Sequence, residues 1–524
     1  MADKLFKNDI NRKQICFLLI MVCTFFFCSF GFGQNQSAEL DQFFATINAN
    51  GDLNGSVLVM ENGNVLYQKS FGFADKQNKI QNTENTLFQI ASVSKIFTAV
   101  AVLKLEEQKK LNIQDKIVSY FPDFPYSDVT IYNLLSNTSG VPDIGELLVP
   151  FWRLNRDTIF TLNDIIPALN ASKMPQNFEA GMAWEYSNTN FSLLALLIEK
   201  ASGQKFADYM NKNIFKPAGM HNTFVKSSGE NAYVHNNVAY NYGLPYIFSI
   251  TPVRVDSFAI NDFKVHYKTF PSEGDANIYT SVIDLAAFDK ALYGGLLLKE
   301  KNLNLLTSPS RKTNGKKIVL HGLGSEIGVI GDFYWGLGNR IDLDSSMGKI
   351  VWCSGGMPGC SANMLTNSTK NQLIIWLNNE QSSSAMDNMF GALNIINNKP
   401  ASAKKAKGNG AIIYAQLLQK NDKEHAFAKL IEMADDTTNF IVDENTLNDL
   451  AYEFYEFVNE NLAFETLRSA IFLFPNNDNL YNSYGELLAK SGKKEEAIIM
   501  YKKSLILNPE NEDSINSLNK LQME

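Results

Sequence analysis

The chain has 524 residues, of which 45% are hydrophobic, 12% aromatic and 19% charged, a globular composition too long for one core that fits neither a disordered chain nor a multi-span membrane protein. Its formal net charge of −8 argues against binding to a phosphate backbone, and it carries neither a zinc-finger spacing nor an aromatic-plus-basic platform. Nucleic acid is not an expected partner.

At the amino end, Lys4, Lys7, Arg12 and Lys13 precede the apolar run Ile15 to Phe32, and Gly31 and Gly33 are small residues suited to cleavage before Gln34. Residues 1–33 are therefore read as a signal peptide of an exported, periplasmic or extracellular protein. An uncleaved membrane anchor is the alternative, because the run approaches the length of a bilayer span. Three of the five cysteines, Cys16, Cys23 and Cys28, lie in this segment. Cys353 and Cys360 alone remain beyond it, which is no disulfide scaffold.

The runs Gly55 to Met60 and Val65 to Phe71, joined by Glu61-Asn-Gly-Asn64, predict a β-hairpin. Helical and loop-rich sequence follows. Strands return at Lys349 to Cys353, Ser361 to Thr366 and Gln372 to Leu377, parted by the glycine-rich Gly355 to Gly359 and the polar Asn367 to Asn371. A sheet drawn from both ends of one domain brings those ends together. The expected fold of residues 37–397 is an α/β (α+β) layered domain, an antiparallel sheet flanked by helices with a helical subdomain.

Residues 398–410 are small, basic and glycine-rich and read as a solvated linker. Beyond it, Leu447, Leu450, Ala463, Leu467, Ala470 and Pro475 align with Tyr481, Tyr484, Ala497, Tyr501, Ser504 and Pro509 at a constant offset of 34 (509 − 475). That pattern resembles the tetratricopeptide repeat, so residues 411–521 are expected to form an all-α repeat module, a possible docking surface for a protein partner. Residues 411–443 fit the repeat poorly, as a divergent repeat or a cap.

A serine three residues before a lysine occurs four times: Ser92/Lys95, Ser202/Lys205, Ser402/Lys405 and Ser491/Lys494. Only Ser92 opens a helix apolar on nearly every face, Ile96 to Leu103. At a helix start the unpaired N–H groups and the dipole favour an oxyanion, and a residue three positions on shares the serine's face. An ordinary cap with a snorkelling lysine is the bland reading. Tyr186-Ser-Asn188, at a loop-to-helix junction, adds a phenol able to shuttle protons and an amide able to hold both Lys95 and a substrate carbonyl.

Ser92-Val-Ser-Lys95, Leu134-Leu-Ser-Asn-Thr-Ser-Gly-Val-Pro142, Tyr186-Ser-Asn188, Phe215-Lys-Pro-Ala-Gly-Met220 and Gly355-Gly-Met-Pro-Gly359 together resemble the serine β-lactamase-related family, which includes class C β-lactamases, D-amino-acid peptidases and related esterases. The resemblance covers roughly residues 40 to 395. It implies Ser92 as nucleophile, Lys95 as its activator, Tyr186 as base, Asn188, Cys353, Ser354 and Gly355 as substrate-binding residues, and the N–H groups of Ser92 and Gly356 as the oxyanion hole.

Two departures from the family pattern stand out. Asn137-Thr-Ser-Gly140 takes the place of a His-Thr-Ser-Gly motif and reads as structural. Cys353-Ser354-Gly355 takes the place of a motif that begins with lysine or histidine, which removes a cation or imidazole from the site. Cys353 is either bridged to Cys360 or a neutral thiol lining the cleft. In both states the position carries no positive charge, so neutral esters or amides are expected to be preferred over carboxylate-bearing substrates.

His221, His235, His266, His321 and His425 show no metal-ligand spacing, so no metal and no cofactor is expected. The expected activity is that of a serine hydrolase acting through an acyl-enzyme on an ester, an amide or a D-amino-acid peptide. Two rivals remain: a catalytically weak cell-wall or peptide receptor, and a thiol enzyme built on Cys353.

Overall fold

The computed structural model describes residues 36–155, 158–257, 271–321, 332–343, 346–420 and 422–523. The expected signal segment, with its three cysteines, and His266 lie outside the described residues. The chain divides into two compact units, Met1–Asn241 with Ile260–Lys405, and Tyr242–Ala259 with Ala406–Glu524.

The first unit is organised by an eight-stranded antiparallel sheet. Its strands are β1 (Gly55–Glu61), β2 (Asn64–Ser70), β3 (Val319–Leu320), β4 (Phe333–Trp335), β5 (Arg340–Asp342), β6 (Ile350–Met357), β7 (Cys360–Asn367) and β8 (Gln372–Asn378), in the spatial order β3-β4-β5-β6-β7-β8-β1-β2. β1 pairs with β8 along its whole length, Gly55 opposite Asn378 and Glu61 opposite Gln372, so the two ends of the domain meet in the sheet as expected.

Both faces of the sheet are covered, which is why β8 reads as an unbroken apolar run instead of alternating. Ile374 and Trp376 face one core with Val57, Val59, Trp352 and Leu365. That core is closed by the amino-terminal helix of residues 36–49, through Leu40, Phe43 and Phe44, and by α4 (Ala385–Ile396), through Met389, Phe390 and Leu393. Leu373, Ile375 and Leu377 face the other core, with Leu58 and Met364.

The second core holds α1 (Ser94–Glu107), α2 (Asn188–Ser202) and α3 (Val282–Tyr293). Every residue of α1 from Ser94 to Leu103 is buried, so the helix takes its stability from packing on all sides and not from one amphipathic stripe. Phe97 stacks on Phe288 of α3 with ring centroids 3.9 Å apart, which locks α1 in place.

Among the described residues the second unit is helical apart from two short pairings, Gly408–Asn409 with Phe440–Ile441 in parallel and Tyr242–Gly243 with Val253–Arg254 in antiparallel. Its helices are α5 (Gly410–Gln419), α6 (Lys423–Asp435), α7 (Glu444–Phe457), α8 (Glu460–Leu473), α9 (Asp478–Lys490), α10 (Lys494–Leu507) and α11 (Glu512–Met523). α7 and α9, and likewise α8 and α10, start 34 residues apart (478 − 444 and 494 − 460), the offset read from the sequence. At Gly485 an added Cβ would stand 2.9 Å from the Tyr501 ring, so the glycine permits the close approach of α9 and α10.

Two boundaries differ from expectation. Residues 398–405 are no free linker: Ala401 and Ala403 pack on the first unit's core and the Lys404 N–H donates to Asn388 Oδ1 at 2.8 Å. The second unit also recruits an internal stretch, with Phe248 stacked on Phe454 at 5.5 Å and the Ile247 N–H donating to Glu453 Oε2 at 2.6 Å. A charged carboxylate accepting that N–H is a firm anchor, and nothing in the local pattern of 242–257 announces it.

Candidate active site

Ser92 sits in a single 3-10 turn, Ala91–Val93, that leads directly into α1. Ala91 before it holds a left-handed φ of 43°, a conformation an L residue adopts only where the surroundings impose it. β6 supplies that constraint. At Gly355 a Cβ would stand 2.3 Å from the Ile90 carbonyl oxygen and 2.7 Å from the Ser92 nitrogen, so only glycine lets the strand lie against the Ser92 turn.

One turn on from Ser92, at the second residue of α1, Lys95 is 1% exposed, and its Nζ donates to Ser92 Oγ at 3.1 Å, Asn188 Oδ1 at 2.9 Å and the Asp275 carbonyl at 3.1 Å. These three acceptors match the three donors of an ammonium, which is what a buried lysine requires. Tyr186 OH donates to the same Ser92 Oγ at 2.8 Å. The serine oxygen is therefore held between a lysine and a phenol.

The Tyr186–Asn188 corner is itself fixed from behind. The Asn188 N–H donates to Asp143 Oδ2 at 2.6 Å and the Glu185 N–H to the Asn137 carbonyl at 3.1 Å. Asn190 Nδ2 donates to Asn137 Oδ1 at 2.7 Å, and Ser139 Oγ to Asn190 Oδ1 at 2.6 Å. Asn137 thus buttresses the helix start by hydrogen bonding and does not reach the nucleophile. The Tyr186 ring meets Trp335 edge to face at 5.8 Å.

Of the residues singled out in the sequence, the structure brings Ser92, Lys95, Tyr186 and Asn188 into one hydrogen-bonded cluster, with Gly355 packed on the Ser92 amide. Gly356, the next residue, faces open space, since a Cβ there would meet nothing within 4 Å. Ser354 lies on the same strand, partly exposed. The competing pair separates from any such cluster: Ser202 ends α2, and Lys205 is exposed and paired with Glu199 at 3.3 Å.

Cys353 departs from expectation. Strand alternation puts Trp352 and Ser354 on one face of β6 and Cys353 on the other, where it is 4% exposed and packed in the helical core. It lines no cleft and leaves the substrate-binding set. Cys353 and Cys360 are both unbridged; burial pushes each thiol up to about 12. A thiolate nucleophile is thereby disfavoured, and with it the thiol-enzyme reading.

Three contributors carry no signal in the sequence. Asp275 lies 4.0 Å from Lys95 Nζ through Oδ2, and burial raises its carboxyl to about 7, with Lys95 pulling the other way. Asp143 caps the turn at Asn188. Arg340 of β5 donates through Nη1 to Ser354 Oγ at 3.0 Å, so a positive charge stands beside the Cys353-Ser354-Gly355 motif although position 353 itself carries none.

The beta-lactamase family model matches residues 40–393, and the chain belongs to that family of serine hydrolases. Penicillin-binding protein 4* of Bacillus subtilis (strain 168) is 34% identical over 388 residues, covering 72% of this chain and 82% of that protein. A penicillin binding protein from Bacillus halodurans aligns with a TM-score of 0.54 at 25% identity, over 67% of this chain and 99% of that one. The D-amino acid amidase of Ochrobactrum anthropi shares the fold, with a TM-score of 0.54 at 21% identity over 70% of this chain and 99% of its own.

Proposed function

We propose that the first unit cleaves an ester, an amide or a D-amino-acid peptide in two acyl transfers, and the observation that carries this is the meeting of Lys95 Nζ and Tyr186 OH on one serine oxygen. Ser92 Oγ attacks the acyl carbon while its proton passes to the Tyr186 oxygen, which acts as the phenolate beside the Lys95 ammonium. Charge gathers on the carbonyl oxygen, for which the Ser92 and Gly356 N–H groups form the hole. Tyr186 returns the proton to the leaving group. It then takes one from water, whose oxygen displaces the acyl group and restores the Ser92 hydroxyl. An alkyl fluorophosphonate should add one phosphonyl mass to the folded chain; an unmodified chain contradicts the proposal.

The amino-terminal segment supports export to the periplasm or the extracellular space. The 34-residue helical offset supports a tetratricopeptide-type module that docks a protein partner. Export predicts a mature chain beginning near Gln34 in the periplasmic or secreted fraction by amino-terminal sequencing. Recovery of Met1 there would mark a retained anchor instead.

A further inference from the structure

The family's third motif begins here with a buried thiol, yet the neighbouring strand brings a cation beside the motif's next residue, Ser354, on the face of β6 opposite Cys353. Arg340 pairs with Trp352 across β5 and β6, and Ser354 lies two residues further along β6 on the same face. The guanidinium carbon stands 4.8 Å from the Trp352 ring and 5.5 Å from the Trp335 ring, so both flanks are aromatic. Trp335 is also the ring against which Tyr186 rests. The base of the mechanism and the guanidinium share one aromatic wall.

What singles out this arginine is the lack of an anion. Among the described residues its buried Nε has no hydrogen-bond acceptor, its Nη1 bonds a neutral hydroxyl, and no carboxylate pairs with it. Arg254, by contrast, is paired with Asp256 at 2.6 Å. Leaving a guanidinium with rings and one hydroxyl for company is costly, and burial accordingly pulls its pKa below the usual arginine value. A fork of donors flanked by two tryptophan rings is complementary to a carboxylate.

We infer that Arg340 is the anion-recognising residue of the cleft, binding a carboxylate of the substrate together with Ser354 and supplying from β5 the positive charge that Cys353 does not. The inference rests on the acyl-enzyme reading of Ser92 and narrows its substrates to carboxylate-bearing esters, amides or peptides. It replaces the preference for neutral substrates expected from the Cys353-Ser354-Gly355 motif alone.

Two phenyl esters of one acid test it, with a 3-carboxylate or a 3-carboxamide on the leaving phenol. Wild type should favour the carboxylate ester in kcat/KM. Arg340→Gln should lose about 10- to 100-fold on that ester, the range of a charge-assisted hydrogen bond, and no more than about threefold on the carboxamide. Arg340→Lys should recover part of the loss, because it restores charge without the planar fork. Fluorophosphonate labelling of Arg340→Gln reads the Ser92 centre separately from the anion site, and its loss together with both ester activities would overturn the assignment. Equal losses on both esters, no preference in wild type, or turnover of neither ester by a labelled enzyme would overturn the assignment. Absence of labelling in wild type would instead contradict the acyl-enzyme reading itself.

Discussion

Lys95 keeps its place because each of its donors has an acceptor, but the carboxyl beside it is under strain of another kind. Asp275 receives Ser192 Oγ–H at 3.3 Å and lies near Lys95, and burial still holds its carboxyl at about 7, above the ordinary 3.8. The native state thus binds that proton more tightly than the unfolded chain. Its stabilising effect is complete below about pH 4 and is lost as the pH rises through about 7. Asp275→Asn removes the titration. Relative to wild type it should gain about 2 kcal/mol between about pH 5 and pH 8, measured by denaturant unfolding. A difference that stays constant with pH would contradict this description of Asp275.

At the same scale, the cluster of Ser92, Lys95, Tyr186 and Asn188 was legible, because each lies at a recognisable junction: a helix start for Ser92 and Lys95, a loop-to-helix corner for Tyr186 and Asn188. Asp275, Asp143 and Arg340 were not. They reach the site through tertiary contacts from segments whose local pattern resembles any loop or edge strand. Cys353 was misplaced for a related reason. Its motif position suggested the cleft, whereas the alternation of β6, with Trp352 and Ser354 on the opposite face, turns the thiol into the core.

Among the elements, the β1–β2 hairpin and the strands β6, β7 and β8 follow from long apolar runs and sharp turns. β3, β4 and β5 are two or three residues long, too short to show a period, and so the strand that carries Arg340 was invisible. β6 also runs further than expected. Gly355 and Gly356, read as part of a turn, remain in the ladder opposite Ala362 and Ser361, and the turn is left to Pro358 and Gly359. The reason is the contact with Ser92: a strand without side chains at this point can press against the nucleophile's turn. Gly355→Ala should therefore cost about 1–3 kcal/mol and lower ester turnover at least about tenfold. Gly356→Ala, which meets nothing, should unfold like wild type. Equal stability of the two variants would contradict the close approach.

On the scale of the whole molecule, the change from mixed patterning to a 34-residue helical offset is long enough to read, and it marks where the layered α/β body gives way to the helical tail. The discontinuity was not legible. The stretch around Ile247 and Phe248 belongs with α5 and α7, through Gln419 Nε2 donating to the Phe248 carbonyl at 3.2 Å and the stack on Phe454. Such a contact depends on aromatic residues meeting across more than two hundred positions of chain.

The central claim is that one oxygen, Ser92 Oγ, is the nucleophile of this molecule. Intact-mass measurement after exposure to an alkyl fluorophosphonate, run in parallel on wild type, Ser92→Ala and Ser202→Ala, tests it most directly. One adduct is expected on wild type and on Ser202→Ala, and none on a folded Ser92→Ala chain, since removing the nucleophile costs several orders of magnitude. An adduct that persists in Ser92→Ala would contradict it.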